Sequence, residues 1–207
     1  MTETPDPPSL RLAGALLAAG ACRRMRGADK LLRPVGGMPL IRRTARLLIE
    51  SGLDPVLVVL PPAPTDRHAA LAGLPIVPVV NPDCADGIGA SIRRASEALP
   101  GDAAGLCLAL SDMPALAPDH LRPLIAAFAA GAGRFIIRPR GTSGRPGHPV
   151  IFPRALFGEL AALTGDEGAR AVIARHGDRL REVAMRDDAC CLDLDTPEEW
   201  AAWERGG

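Results

Sequence analysis

Residues 12–40 read LAGALLAAGACRRMRGADKLLRPVGGMPL, and this stretch decides how the rest of the chain is read. The apolar run from Leu12 to Leu17 predicts a buried strand. It gives way to Ala18, Ala19 and Gly20, small residues that let a backbone approach a ligand closely because no side chain stands in the way. Arg23, Arg24, Arg26 and Lys30 follow, four cations within eight positions, a field suited to a polyanion. A helical pattern then opens at Pro39. Strand, small-residue turn and cations point to a nucleoside triphosphate at the carboxyl end of a strand. A solvated basic loop in an ordinary α/β protein is the plainer alternative. The stretch holds neither G-x-x-x-x-G-K-[ST] nor G-x-G-x-x-G, so phosphate binding here follows another design.

Downstream, the pattern alternates. Pro39 to Ser51 predicts an amphipathic helix stopped by Gly52, Pro55 to Leu60 a strand, Thr65 to Ala72 a short helix, and Ile76 to Val80 a strand. A helix runs from Ser91 to about Leu99, a strand over Ala103 to Leu110, a helix over Pro118 to Ala130, and a strand over Phe135 to Arg138. Strands alternating with helices predict an α/β fold: a mostly parallel sheet with helices on both faces. No repeat or linker divides the chain, so residues 11–207 are expected to form a single domain behind a Pro-containing, disordered lead-in of residues 1–10.

Composition narrows the function classes. With 207 residues and 47% hydrophobic content, the chain can bury one sizeable core. Zero net charge gives no reason to expect nucleic-acid or anionic-membrane binding, and 3% aromatics without tyrosine argue against a single-strand stacking platform. No run of 18 apolar residues occurs, and MTETPDPPSL does not read as a signal peptide. Five cysteines without C-x-x-C spacing fit reduced thiols in a cytoplasm, and the adjacent Cys190 and Cys191 read as core thiols.

Three later segments carry chemistry. Gly105 to Leu110 delivers Ser111 and Asp112 to a strand tip, in LSDMPAL. A carboxylate there faces the ligand crevice of an open α/β sheet, and Mg²⁺ takes one or two carboxylates together with substrate phosphates; capping of the next turn is the alternative. CLDLDTPEEW alternates as a short strand from Cys191 to Asp195, with Asp193 and Asp195 on one side, then reads as a helix start. In NPDCADGIGAS, Gly87 and Gly89 precede Ser91 at a helix N-terminus, which is either a plain cap or a receptor for a ligand's polar groups. The Gly- and Pro-rich loop ahead of Val150 holds His148, and LTGDEGAR places Gly168 and Arg170 at a helix start, where Arg170 has Asp166 and Glu167 as possible partners.

LLAAGACRRM, Lys30 and LLRPVGGMPLI together resemble the signature of MobA/MocA-like nucleotidyltransferases, the group of the molybdenum-cofactor cytidylyl- and guanylyltransferases. NPDCADGIGASIRRA, LSDMPAL, RPGHPVIFPRALF, LTGDEGAR and DLDTPEEW extend the resemblance from about Leu12 to Trp203. Two positions depart from it: Arg26 lengthens the basic loop by one residue, and Cys22 stands where serine is usual. The resemblance implies a three-layer α/β/α, Rossmann-like nucleotidyltransferase fold of the GT-A-like kind. It implies Asp112 and Asp195 as ligands of Mg²⁺ or Mn²⁺, with Asp193 a lesser candidate. It places Asp83, Gly87 and Ser91 beside the nucleotide, and His148 and Arg170 on the acceptor side. Catalysis would rest on Arg24, Lys30 and Asp112.

The acceptor's phosphate oxygen is already an anion, so the implied reaction needs no covalent nucleophile, only positioning and charge neutralisation. Cytidylyl members of the group tend to carry L-A-A-G where guanylyl members carry L-A-G-G. Leu17-Ala18-Ala19-Gly20 therefore favours CTP, with molybdopterin as acceptor and a molybdenum hydroxylase apoenzyme as a possible recipient. A sugar- or alditol-phosphate nucleotidyltransferase and a non-catalytic molybdenum-cofactor carrier are the rival readings. The nucleotidyltransferase reading requires Lys30 and Asp112 to open onto the same cavity.

Overall fold

A computed structural model describes residues 10–20, 29–62 and 64–206. The expectations for Arg24, for the loop positions Cys22 and Arg26, and for most of the lead-in lie outside those residues. Leu10, at the end of the lead-in, is described and packs half-buried against the core.

The apolar run at the start forms β1, Leu12–Leu17, at the middle of a seven-stranded sheet. It pairs in parallel with β4, Val56–Leu60, on one side and with β6, Gly105–Leu110, on the other. β5, Val77–Val80, continues the parallel sheet beyond β4. On the far side β8, Val150–Pro153, runs antiparallel between β6 and β7, Ile136–Arg140, and β9, Leu180–Ala184, closes the edge parallel to β7. The order is β5-β4-β1-β6-β8-β7-β9. The expected mostly parallel sheet is present, with β8 the one strand that reverses it among those described.

Continuous apolar runs make sense here because both faces are covered. Leu12 and Leu16 of β1, Val56 and Val58 of β4, and Cys107 and Ala109 of β6 face α1, Leu40–Glu50, and α4, Pro118–Ala130. The alternate residues, Ala15 and Leu17, Leu57 and Val59, Leu106 and Leu108, face α3, Ile88–Glu97, with α5, Phe157–Ala161, and α6, Arg170–Arg175. The third layer is thus a direct consequence of strands with no polar side. α2, Asp66–Ala70, follows β4, with Thr65 as its cap. Cys84, Cys107, Cys190 and Cys191 are all free. Burial alone pushes the Cys107 thiol up to about 12, the behaviour of an inert core thiol.

A small third cluster sits apart. Gly36 and Gly37, both at positive φ, turn the chain between β2, Pro34–Val35, and β3, Met38–Pro39. Val35 and Leu40 there bury Leu194 and the fully buried Trp200 of α7, Pro197–Gly206. Arg33 stacks over the Trp200 ring at 4.7 Å and pairs with Glu204 at 2.7 Å. This cluster brings the last segment of the chain back beside the first.

One expected element is absent. Cys191 to Asp195 forms no strand: Ala189–Cys191 is a single 3-10 turn, and residues 192–195 are irregular. The alternation arises because Leu192 and Leu194 pack into the third cluster, with Leu194 buried and Asp193 exposed. β9 had no legible signal, since its LREVA is an edge strand, mostly exposed. Its ladder to β7 is reinforced by Glu182 against Arg138 and Arg140.

Candidate active site

Three distant segments meet at the carboxyl ends of β1 and β6. Lys30 Nζ lies 2.6 Å from Asp112 Oδ2 and 2.6 Å from Asp195 Oδ1. The three side chains are between 12% and 20% exposed, so the cluster is screened yet open to a ligand. Burial by itself would pull the Lys30 ammonium down. The two carboxylates, Asp112 before Asp195, outweigh that and hold it above its ordinary value. The lysine is therefore charged throughout the physiological range.

Each member is fixed by local structure. Lys30 opens a 3-10 turn capped by Asp29, whose Oδ1 accepts from Leu31 N at 3.0 Å. Asp112 follows β6, and the preceding Ser111 Oγ donates to Leu17 O at 2.7 Å, tying the two strand ends together. Leu194 N donates to Asp112 O at 3.2 Å, which links the two acidic positions through the backbone. Asp195 N and Thr196 N both donate to Glu199 Oε2, at 2.7 and 3.0 Å, while Thr196 Oγ1 accepts from Glu199 N: a capping box just downstream of the carboxylate.

Those backbone donors, that of Asp195 first, hold Glu199 below the ordinary glutamate range. A depressed folded value means that the stabilisation is complete above the unfolded value and is lost as pH falls through the folded one. The stability difference between wild type and Glu199→Gln, read by denaturant unfolding at successive pH values, is accordingly expected to narrow on acidification.

The cluster opens into a cavity of about 450 Å³. Of the nucleotide residues expected from the sequence, Leu17, Ala19, Gly20, Lys30, Gly87 and Ser91 line it, with Asp112 and Asp195. Ala18 and Asp83 do not. Ala18 is 1% exposed and faces the α1 side of the core. Asp83 turns to α3, pairing with Arg93 at 3.0 Å and Arg94 at 3.1 Å. Asp193 lines neither this cavity nor the next.

A second cavity of about 370 Å³ adjoins the first, sharing Ile88, Leu110 and Asp166 with it. His148 and Arg170 line this second one, together with Arg138. Arg170 makes no ion pair with Asp166 or Glu167. Burial, partly opposed by Asp112 and Asp193, lowers the His148 pKa, so its imidazole is neutral at pH 7. Its buried Nδ1 has no hydrogen-bond partner among the described residues. Of the two arginines lining this cavity, Arg138 is paired with Glu182 at 2.6 Å.

The glycines of NPDCADGIGAS also have a packing role that the sequence does not display. A methyl on Gly87 would stand 2.6 Å from the Gly165 backbone, and one on Gly89 would stand 2.8 Å from that of Thr164. Gly89 N donates to Gly165 O at 2.8 Å. The absent side chains make room for the Thr164–Asp166 turn, so the segments flanking the two cavities are in direct backbone contact. Gly87, at φ +96, is also a conformation that favours glycine.

Sequence reasoning missed Arg67, Arg138, Asp166 as a boundary residue, and Asn81. Arg138 lies on a strand near the edge and Arg67 in a short helix, and neither sits in a recognisable motif.

PucB of Bacillus subtilis, named a purine catabolism protein, is 31% identical to this chain over 208 residues, 91% of this chain and 94% of PucB. A molybdenum cofactor guanylyltransferase of Cereibacter sphaeroides is 32% identical over 208 residues, covering 94% and 96% of the two chains. The crystal structure of Rv0371c from Mycobacterium tuberculosis superposes with a TM-score of 0.81 at 31% identity, covering 95% of this chain and 99% of that one, and the same protein is known as a manganese complex. The family model described as a MobA-like NTP transferase domain matches residues 14–180. With most of β1, the Lys30 turn, Asp112 and all the described lining of both cavities except Asp195 inside that span, the chain belongs to the MobA-like NTP transferase family.

Proposed function

We propose that the protein transfers CMP from CTP to the phosphate of molybdopterin, as the molybdenum cofactor, and releases pyrophosphate. The convergence of Lys30, Asp112 and Asp195 in one cavity, with His148 and Arg170 in the cavity next door, carries this reading.

The donor set fits a divalent cation. Asp112 Oδ1 is buried with no hydrogen-bond partner among the described residues, an acceptor left for something else. The described lining of the first cavity sets one lysine against three carboxylates, Asp112, Asp166 and Asp195. That balance repels a bare triphosphate, so further positive charge belongs there. Asp112 and Asp195 would hold Mg²⁺ or Mn²⁺, which supplies charge neutralisation on the triphosphate. The manganese complex of Rv0371c is consistent with such a site.

Lys30 keeps the two carboxylates together and offers its ammonium to the phosphates. Arg24 is expected to add positive charge beside them. Ala19 and Gly20 give a close, side-chain-poor floor beside Leu17. Arg170 draws the acceptor's phosphate to the second cavity, and His148 orients the acceptor. An acceptor phosphate oxygen then forms a bond to the α-phosphorus of CTP, the bond from that phosphorus to the bridging β-oxygen breaks, and the electron pair leaves on pyrophosphate. Holding two polyanions in line is most of the catalysis. A molybdenum hydroxylase apoenzyme is the recipient this reading names, and the cytoplasm is its setting.

Ala19 lines the cavity, and on this reading its methyl narrows the base pocket, which supports the choice of CTP. GTP is the second reading, favoured by the named activity of the Cereibacter relative. The deciding assay incubates the protein with each nucleoside triphosphate, Mg²⁺ or Mn²⁺ and molybdenum cofactor, and follows pyrophosphate. CTP-selective release is expected. Release with GTP alone overturns the base assignment, release only with a sugar phosphate overturns the acceptor, and binding without any release turns the protein into a carrier.

A further inference from the structure

Asn81 is fully buried between the end of β5 and the start of α3. Its side-chain oxygen accepts from Asp83 N at 3.0 Å, and its side-chain nitrogen donates to Ser91 Oγ at 3.1 Å. A backbone N–H can only donate, so the amide has a single chemically sensible orientation. Its NH₂ must therefore face Ser91, and the Ser91 oxygen must accept.

The Ser91 hydrogen is thereby driven elsewhere. Thr44 and Ser96, also within helices, donate to the carbonyl four residues back, at 3.0 and 2.9 Å. Ser91 makes no such bond, and no acceptor for its hydrogen is found among the described residues. The residue is 6% exposed, and what it exposes lines the cavity of Lys30 and Asp112.

We infer that Asn81 is a positioning residue for specificity: it fixes Ser91 as a hydrogen-bond donor toward an acceptor atom on the base of the bound nucleotide. The inference rests on the nucleoside triphosphate reading of the first cavity. Ribose hydroxyls can either donate or accept, so a fixed donor gains selectivity only against groups of fixed polarity; phosphate oxygens are common to all four nucleotides, which leaves the ring nitrogens, carbonyls and exocyclic amines of the base as the groups it can tell apart.

Asn81→Asp reverses the relay. One carboxylate oxygen accepts from Asp83 N and the other accepts the Ser91 hydrogen, withdrawing the donor from the cavity. Affinities of wild type, Asn81→Asp, Ser91→Ala and the double variant are measured for all four nucleoside triphosphates and for inorganic tripolyphosphate, with Mn²⁺ present. Asn81→Asp is expected to lose about tenfold for the preferred nucleotide, to flatten the ranking among the four, and to leave tripolyphosphate affinity unchanged. In the Ser91→Ala background it is expected to cost little more. Asn81→Ala takes its place in the same cycle if Asn81→Asp does not fold. A uniform loss across all four nucleotides, or additive losses in the double variant, overturns the relay while the nucleotide reading stands. Failure of the wild type to bind any nucleoside triphosphate overturns that reading and the relay with it.

Discussion

Asp112→Ala is expected to lower metal-dependent pyrophosphate release by ~10²-fold or more while the protein stays folded. The fold survives because Asp112 lies beyond the end of β6 and Lys30 keeps Asp195 as a partner at 2.6 Å. The loss is chemical because Asp112 supplies both an oxygen held by Lys30 and a buried oxygen with no partner among the described residues. A second readout separates this from a general electrostatic effect. The cavity carries more acid than base among its described residues, so removing one carboxylate relieves repulsion of a bare triphosphate. Metal-free nucleotide affinity should hold or rise in Asp112→Ala as turnover disappears. Asp112→Asn keeps an acceptor for Lys30 and should lose turnover nearly as far. Release at the wild-type rate in either variant would show that Asp112 has no part in the reaction, and a collapse of thermal stability would show that its role is structural.

The parallel sheet was legible because burial on both faces leaves an unmistakable mark: Leu12 to Leu17, Val56 to Leu60 and Gly105 to Leu110 are almost uninterrupted apolar runs. β9 was not, because Arg181 and Glu182 belong to an edge strand whose pairing depends on β7, not on its own composition. The false strand at Cys191 to Asp195 shows the converse. Period-two apolarity was produced by Leu192 and Leu194 reaching a tryptophan cluster from an irregular backbone. Among candidate site residues, Asp112 could be picked out by its charge at a strand tip, Lys30 by its basic loop and Asp195 by its motif. Asp83 carried the same signals, yet two arginines one helix turn or more downstream claimed its carboxylate. What a sequence cannot display is which polar groups satisfy one another once buried, and Asn81 and Arg67 belong to that class.

Arg67→Ala is expected to cost about 3 kcal/mol of stability or more, the scale for removing one partner of a buried ion pair. Arg67 is 6% exposed. Its Nε and Nη2 hold Asp29 at 2.6 and 3.1 Å, a bidentate grip, and its Nη1 donates to Ala18 O at 2.6 Å and Gly20 O at 2.9 Å. One side chain thus fastens the end of β1 to the residue that caps the Lys30 turn. Ala18 O and Gly20 O lose a donor when it goes and Asp29 loses its bidentate grip while keeping Leu31 N, which is why the penalty exceeds that of an ordinary surface pair. Arg67→Lys tests geometry against charge. It keeps the cation but lacks the planar fork, so it should recover only part of the stability. Because Asp29 sets the direction of Lys30, both variants should also raise the KM for the nucleotide at temperatures well below their unfolding midpoints. Denaturant unfolding and steady-state kinetics on the same preparations check the two effects together. An Arg67→Lys variant as stable and as active as wild type would mean that the charge alone suffices and that the fork between β1 and Asp29 contributes nothing.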